Sequence, residues 1–288
     1  MTGADLVTMA VDRAAHIARI TLRRPAERNA LTSAMARAIC GYLEQAERDD
    51  AVKAVVLDAE GSDLSAGWDV EDAWRMYLSE PGGATRKVPS QRARLTAIDE
   101  LWWGPRGLYA RLLRCRKVTI LQARGACLET GLYLTLCSDL VVAADNARFG
   151  NPRWSLLGVD GDISLLIATV GLKRAKELMY CGAEWEARRA LDYGLVDAVV
   201  PDAGLAAETD RLAHICASIM RDGIVTEKFA VFASLEKMGV GLSFAAATVV
   251  GGSLSNIHFQ PGEFNMLREV RDRGVDGALT AAREWLRG

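Results

Sequence analysis

Near the start of the chain, LVTMAVDRAAHIARITLRR holds two short runs of alternating apolar and polar residues around the polar stretch Asp12 to Ala15, which predicts a β-hairpin. After Pro25 the period changes. In LTSAMARAICGYLEQAERDD the apolar residues Met35, Ile39 and Leu43 recur at helical spacing, with Thr32 or Ser33 as the N-cap. VKAVVLDA then shows the unbroken apolar centre of a strand buried in a parallel sheet. VTILQARG (118–125) and DLVVAADNARFG (139–150) repeat that pattern, and GLYLTLCS between them is too long and too evenly apolar for a loop. The resulting order is β-α-β-α-β, an α/β fold.

Between Val70 and Lys117 the pattern is interrupted by a polar, Arg-rich insertion. Its EPGG marks a turn, the part after Pro89 reads as helical, and a loop of this kind can cover a site. From GLKRAKELMYCG onward the chain reads as nearly all helical, with a late apolar stretch, FAAATVVGGSLSNI (244–257). The expected organisation is an α/β core over residues 1–200 and a helical C-terminal domain over 201–288. No internal repeat or low-complexity segment interrupts it.

Composition narrows the classes. Of 288 residues, 50% are hydrophobic and 25% charged, the balance of a soluble globular protein. With 35 basic and 37 acidic residues the net charge is −2, so no basic field exists to attract nucleic acid or an anionic membrane. A local basic patch for one phosphorylated ligand is still compatible with that balance. The 6 cysteines show no C-x-x-C spacing and mostly lie in apolar runs, so they read as reduced core thiols. The stretch MTGADLVTMAVDR lacks an apolar signal region, and no apolar run approaches a membrane span, so the expected location is the cytoplasm.

Three segments carry the order and spacing of the crotonase, or enoyl-CoA hydratase/isomerase, superfamily. RRPAERNALT resembles its R-P-x-x-x-N-A-L segment, and GSDLSAGWDV its S-A-G-x-D loop. ILQARGACLETGLYLTLCSDLVVAADNARFGNP is similar to its glycine-containing turn, following helix and A-x-F-G-x-P segment. A weaker match is VGLKRAKELMYCGAEWEARRALDYGLVDAVVP. The resemblance covers roughly residues 5 to 200. It implies a crotonase-like spiral of ββα units with a helical C-terminal domain, assembled as a homotrimer or dimer of trimers. It also implies an acyl-CoA thioester substrate, with coenzyme A present only as part of it, no tightly bound cofactor and no metal.

Reactions at the α or β carbon of an acyl thioester pass through an enolate-like anion, whose oxygen needs two converging backbone N–H donors. The resemblance assigns these donors to Trp68 and Thr130, the latter at a helix N-terminus. Gly67 and Gly131 then let the ligand approach the chain; the alternative is that both are only strand-to-helix turns. Ala26, Arg28, Ala30 and Ala66 fall where the family lines its adenosine and pantetheine groove, although Arg28 also reads as a solvated charge.

The chain departs from the family where hydratases carry two glutamates for acid–base work: those positions are Tyr133 and Arg153. Some relatives with other chemistry, including ring-opening C–C hydrolases and a dehalogenase, carry a functional aspartate further along the same turn. By that resemblance Asp162, ten residues after Pro152, is either a partly buried acid/base or the N-cap of the helix after it. Asp160 is expected to point elsewhere. Glu129 reaches the acyl pocket or, as the favoured reading, pairs with Arg124. Tyr133 donates a hydrogen bond or packs in the core. Arg153 binds a carboxylate on the acyl group or neutralises Asp160 or Asp162. Trp68, Trp74, Trp102 and Trp103 wall an apolar pocket or pack the insertion, and His258 lines a pocket or is structural.

No histidine lies within the matched motifs, which leaves nucleophilic Ser-His or Cys-His pairs without support, and no cluster has metal-ligand spacing. The expectation is hydratase/isomerase-type chemistry. A thioester or C–C bond hydrolase and a non-catalytic acyl-CoA-binding homologue are the alternatives. An RNA-binding side function lacks the basic stripe it needs.

Overall fold

A computed structural model of the protein describes residues 3–77, 90–253 and 258–286. After a one-turn helix α1 (Gly3–Leu6), β1 (Val7–Asp12) and β2 (Ile17–Leu22) form the expected antiparallel hairpin. Asp12 closes its turn by accepting hydrogen bonds from the Ala14 and Ala15 N–H groups, each at 2.9 Å. Thr32 is the N-cap of α2 (Ser33–Arg48), its Oγ1 accepting from the Met35 N–H at 3.2 Å. The apolar stripe Met35, Ala36, Ile39, Leu43 and Ala46 of α2 is buried.

β3 (Ala54–Ala59) lies parallel to β2 and leads into the insertion: α3 (Val70–Tyr77), α4 (Gln91–Ile98), a π-helical turn (Asp99–Trp103) and α5 (Leu108–Leu113). The EPGG turn at 80–83 lies outside the described residues. Next come β4 (Val118–Ala123), β5 (Ala126–Leu128), α6 (Thr130–Cys137), β6 (Leu140–Ala144) and β7 (Arg148–Gly150). They are followed by α7 (Trp154–Leu157), α8 (Ser164–Val170), α9 (Leu172–Cys181), β8 (Glu184–Glu186), α10 (Ala187–Asp192) and β9 (Ala198–Val200). Four helices end the chain: α11 (Leu205–Ser218), α12 (Arg221–Lys237), α13 (Val240–Gly252) and α14 (Met266–Trp285), the last kinked at Gly274.

The main sheet has the order β1-β2-β3-β4-β6-β9, parallel after the hairpin, and a second sheet, β5-β7-β8, stands beside it. The second sheet escapes the hydrophobic pattern because its strands are three residues long, too short to show a period. Residues beyond 200 do not all stand apart from the sheet. Ala213, Cys216 and Ala217 of α11 pack on Ile17, Ala54, Val56 and Ile120, so the sheet's core continues into the C-terminal helices. Lys228 of α12 pairs with Asp139 at the start of β6, and Phe244 of α13 meets Trp103 at 5.2 Å between ring centres.

The cysteines are free, and Cys115, Cys127, Cys137 and Cys216 are buried, but Cys181 is exposed, which corrects its reading as a core thiol. Among the described residues no single helix is long and apolar enough to cross a membrane.

Asn29 fixes the relation between the first two matched motifs. It is fully buried at φ 51°, a left-handed conformation that asparagine tolerates better than most residues. Its side-chain N–H₂ donates to the Glu60 carbonyl at 2.8 Å and the Asp63 carbonyl at 2.7 Å, and its Oδ1 accepts from the Arg24 N–H at 2.8 Å. The loop after it is then laid along SAGW: the Leu31 N–H donates to the Gly67 carbonyl (2.8 Å) and the Ala66 N–H to the Arg28 carbonyl (2.9 Å). Asn29→Ala strips three hydrogen bonds, one buried and two part-buried, and is expected to cost about 2–4 kcal/mol in urea unfolding. A loss below about 1 kcal/mol contradicts this role for Asn29.

Candidate active site

One pocket opens between the insertion and the N-terminus of α6. Its walls are Trp68, Ile98, Trp102, Trp103, Tyr109 and Tyr133, and two carboxylates, Glu129 and Asp160, face into it. The insertion that interrupts the sequence pattern therefore supplies much of the wall, through the buried Ile98 of α4 and the pair Trp102 and Trp103 in the π-helical turn.

Local backbone geometry sets the floor. The segment 62–69 is clamped on two sides, since the Ser65 N–H donates to Ala126 O at 2.8 Å and the Leu128 N–H to Ser65 O at 3.0 Å. Gly67 has φ +117°, and a Cβ there would lie 2.8 Å from Glu129 Oε2, so a larger residue strains the backbone and strikes the carboxylate. Trp68 follows, with its N–H turned to Glu129 Oε2 in a short hydrogen bond. Across the floor, Thr130 is the first residue of α6, where backbone N–H groups lack helical partners. A Cβ on Gly131 would lie 3.1 Å from Ser65 O, a close approach that joins the helix to the loop.

Glu129 holds these parts together. It sits at φ 50°, uncommon for a glutamate, with its N–H donating to Gly150 O at 2.9 Å. Its carboxyl pKa is pushed up to about 7, chiefly by burial and further by the Asp160 charge, against Arg153 and the Trp68 and Thr130 N–H groups, which favour the anion. Of the two N–H groups that the resemblance assigns as oxyanion donors, that of Trp68 is bonded to this carboxylate. Arg153 Nη1 lies 3.7 Å from Glu129 Oε2 while its Nη2 donates to the Trp68 carbonyl at 2.6 Å. Arg153 is therefore committed to Glu129 and Trp68 rather than free to bind a carboxylate on an acyl group. Arg124, the partner favoured for Glu129 from sequence, pairs with Asp202 at 3.4 Å.

Of the two readings left open for Asp162 its contacts fit the cap, whereas Asp160, expected to point elsewhere, faces the pocket. Asp160 lines the pocket, and its Oδ1 accepts from the Trp154 indole N–H at 2.8 Å. Burial raises its pKa, against the Trp154 hydrogen bond and the Arg153 charge. Asp162 lies outside the pocket lining: it accepts from the Leu165 N–H at 2.9 Å and from the Ser243 hydroxyl, capping α8. Its raised pKa comes from burial, opposed by those same bonds. The sequence signal for Asp160 was Trp154, since a buried indole N–H needs an acceptor and Asp160 is six residues away.

The remaining candidates divide. Tyr133 lines the pocket with a hydroxyl that is buried and unpartnered, kept protonated because burial raises its pKa well above the ordinary value. Ala26 and Arg28 are exposed, and Arg28 forms a two-point pair with Asp63, both contacts at 3.1 Å. Ala30 and Ala66 are half-buried along the same edge. Trp74 and the exposed His258 do not line the pocket. Among the described residues no group of three or more His, Cys, Asp or Glu side chains is placed to hold a metal ion.

Residues 12–247 match the family profile described as enoyl-CoA hydratase/isomerase. The chain is 31% identical to 2,3-dehydroadipyl-CoA hydratase of Escherichia coli K12 over 193 residues, 66% of this chain and 68% of that protein. It is 29% identical to 4-chlorobenzoyl coenzyme A dehalogenase-2 of an Arthrobacter species over 209 residues, 72% of this chain and 71% of that protein. The crystal structure of an enoyl-CoA hydratase/isomerase from Xanthobacter autotrophicus Py2 superposes with a TM-score of 0.76 at 29% identity, covering 98% of this chain and 97% of that one.

The capping role of Asp162 is separable from the pocket. Asp162→Ala is expected to lower unfolding stability by about 1 kcal/mol, the usual worth of a helix cap. Unchanged stability contradicts that role.

Proposed function

The chain belongs to the enoyl-CoA hydratase/isomerase family, and from that premise we propose that it acts on an acyl-CoA thioester through an enolate-like intermediate held by the Trp68 and Thr130 N–H groups. The observation that carries this reading is that the Trp68 N–H already bonds a carboxylate oxygen, that of Glu129, beside the N-terminus of α6 and in a pocket walled by aromatic rings. A substrate's thioester oxygen is the same kind of acceptor. Each such donor is worth about 3–4 kcal/mol when it meets charge that develops only in the transition state.

In this reading the incoming carbonyl oxygen displaces the Glu129 carboxylate from the Trp68 N–H. The freed carboxyl stays in the pocket with Asp160, near the α and β carbons. Two acids beside one guanidinium do not both ionise readily, so the pair keeps one proton near neutrality. One member is then able to accept a proton from carbon while the other gives one up, as hydratase/isomerase-type chemistry requires. Tyr133, held neutral, acts as a hydrogen-bond donor and not as a base. Glu129 and Asp160 thereby supply what the family's two glutamates supply elsewhere, from different positions on the same floor. Coenzyme A enters only as part of the substrate, and the groove formed by Ala26, Arg28, Ala30 and Ala66 receives it. The reading extends to a cytoplasmic homotrimer or dimer of trimers, supported by the family and by the exposed apolar side chains Phe229, Val231, Met238 and Leu242.

One observation favours a second reading: a resting site whose donors are already occupied by the protein's own carboxylate suits an acyl-CoA-binding protein without turnover. Product analysis by mass spectrometry over a panel of acyl-CoA thioesters separates the two, and it also reveals thioester or C–C bond hydrolysis. Under the catalytic reading Asp160→Asn lowers kcat by about a hundredfold or more, in line with loss of a general acid/base, while Asp162→Asn retains turnover. Loss of turnover in Asp162→Asn with Asp160→Asn fully active reverses the assignment.

The raised pKa of Glu129 gives a signed pH dependence. Below about 7 its carboxyl is neutral and a weak competitor for the two N–H groups; above about 7 it is charged and a strong one. The Kd of butyryl-CoA, a saturated thioester, is expected to rise with pH by up to about tenfold per unit above that value, the limit for one linked proton. Glu129→Gln flattens the profile. A Kd independent of pH in the unaltered protein contradicts displacement of the carboxylate.

A further inference from the structure

We propose that the acyl group taken by this pocket is a neutral aromatic ring carrying an oxygen acceptor, such as a hydroxyl or ether. The inference rests on the acyl-CoA reading above and goes on to specify the acyl portion.

The first observation is the wall. Trp68 and Trp102 meet edge to face at 5.2 Å and 70°, Trp103 and Tyr133 at 4.7 Å and 90°, and Trp102 stacks on Tyr109 at 5.4 Å and 22°. Such rings prefer other rings in edge-to-face or offset geometry, because the positive edge of one meets the negative face of the next. A flat aryl group extends this array, whereas an aliphatic chain gains only the area term.

The second observation is a pair of unpartnered donors. The Tyr133 hydroxyl and the Trp102 indole N–H are both buried without a hydrogen-bond partner, although the two residues are only 3% and 2% exposed. Groups buried in this way cost free energy until an acceptor reaches them. An indole N–H only donates, and the hydroxyl is held protonated, so the missing partner is an acceptor. Gly161 abuts the hydroxyl: a Cβ there would lie 2.4 Å from the Tyr133 oxygen. Gly161 thus packs its backbone against that oxygen and against the Trp103 ring, so an acceptor reaches the hydroxyl from another side.

The third observation is charge. Glu129 and Asp160 both face the pocket, and Arg153, which neutralises them, is already engaged by Glu129 and the Trp68 carbonyl. A second carboxylate on the acyl group would meet like charge, with no free cation lining the pocket among the described residues. A ring without an anionic group avoids that repulsion.

The test is binding by isothermal titration of four thioesters: 4-methoxycinnamoyl-CoA, cinnamoyl-CoA, 2-hexenoyl-CoA and adipyl-CoA. Cinnamoyl-CoA is expected to bind about tenfold tighter than 2-hexenoyl-CoA, with adipyl-CoA weakest. The methoxy oxygen is expected to add a further factor of about five, and Tyr133→Phe to bring the ratio of methoxycinnamoyl to cinnamoyl affinity close to one. Equal or tighter binding of 2-hexenoyl-CoA overturns the aromatic assignment and leaves the acyl-CoA reading standing. A methoxy preference that survives in Tyr133→Phe and in Trp102→Phe overturns the acceptor assignment. Failure of all four to bind overturns both this inference and the acyl-CoA reading on which it rests.

Discussion

A carboxylate buried among aromatic rings must be compensated, and the compensation of Glu129 accounts for most of what surrounds it. Removing a charge from water costs several kcal/mol unless hydrogen bonds and an opposite charge replace the solvent. Here the replacements are the Trp68 N–H and the Arg153 guanidinium. Gly67 is required because any side chain there would enter the space of the carboxylate, and the positive φ of Glu129 turns its side chain back over its own helix N-terminus. The compensation is incomplete, since the carboxyl pKa remains near 7. A contact that is stable enough to form and weak enough to protonate near neutrality is suited to exchange with a ligand.

The fold serves this contact by bringing distant segments of the chain together. Parallel strands β3 and β4 end side by side, and the loop after β3 is stitched to β5 and to the loop before α2 through backbone hydrogen bonds. Asn29 fixes that loop from beneath. The insertion then roofs the pocket with Trp102 and Trp103, which α13 backs with Phe244. The C-terminal helices thus take part both in the sheet core, through α11, and in the wall of the site, through α13.

Much of this is legible from the chain. The hairpin and α2 with its cap at Thr32 follow from period and capping, and the buried parallel strands and α6 from their unbroken apolar runs. The expectation that Trp68 and Thr130 supply the N–H donors comes from the resemblance, since backbone groups depend on the loop's course rather than on side-chain identity. The acids were harder to assign. Asp160 and Asp162 lie two residues apart in a glycine turn, and which one faces the pocket is decided by partners: the Trp154 indole for one, the Leu165 N–H and Ser243 for the other. Ser243 is 81 residues away in sequence, so no local pattern announces it. Glu129 was misread for a similar reason. Arg124 is its nearer arginine in sequence, but a strand and a turn carry the two apart, and Arg153 arrives from the segment after β7.

The central claim is that a ligand's thioester oxygen takes the place of the Glu129 carboxylate on the Trp68 N–H, with the Thr130 N–H as its second donor. A crystal structure with a bound saturated acyl-CoA tests it most directly. The account predicts the thioester oxygen within about 3.2 Å of both nitrogens and the Glu129 carboxylate moved off the Trp68 N–H. An acyl-CoA seated in the pocket with Glu129 still bonded to that N–H contradicts it.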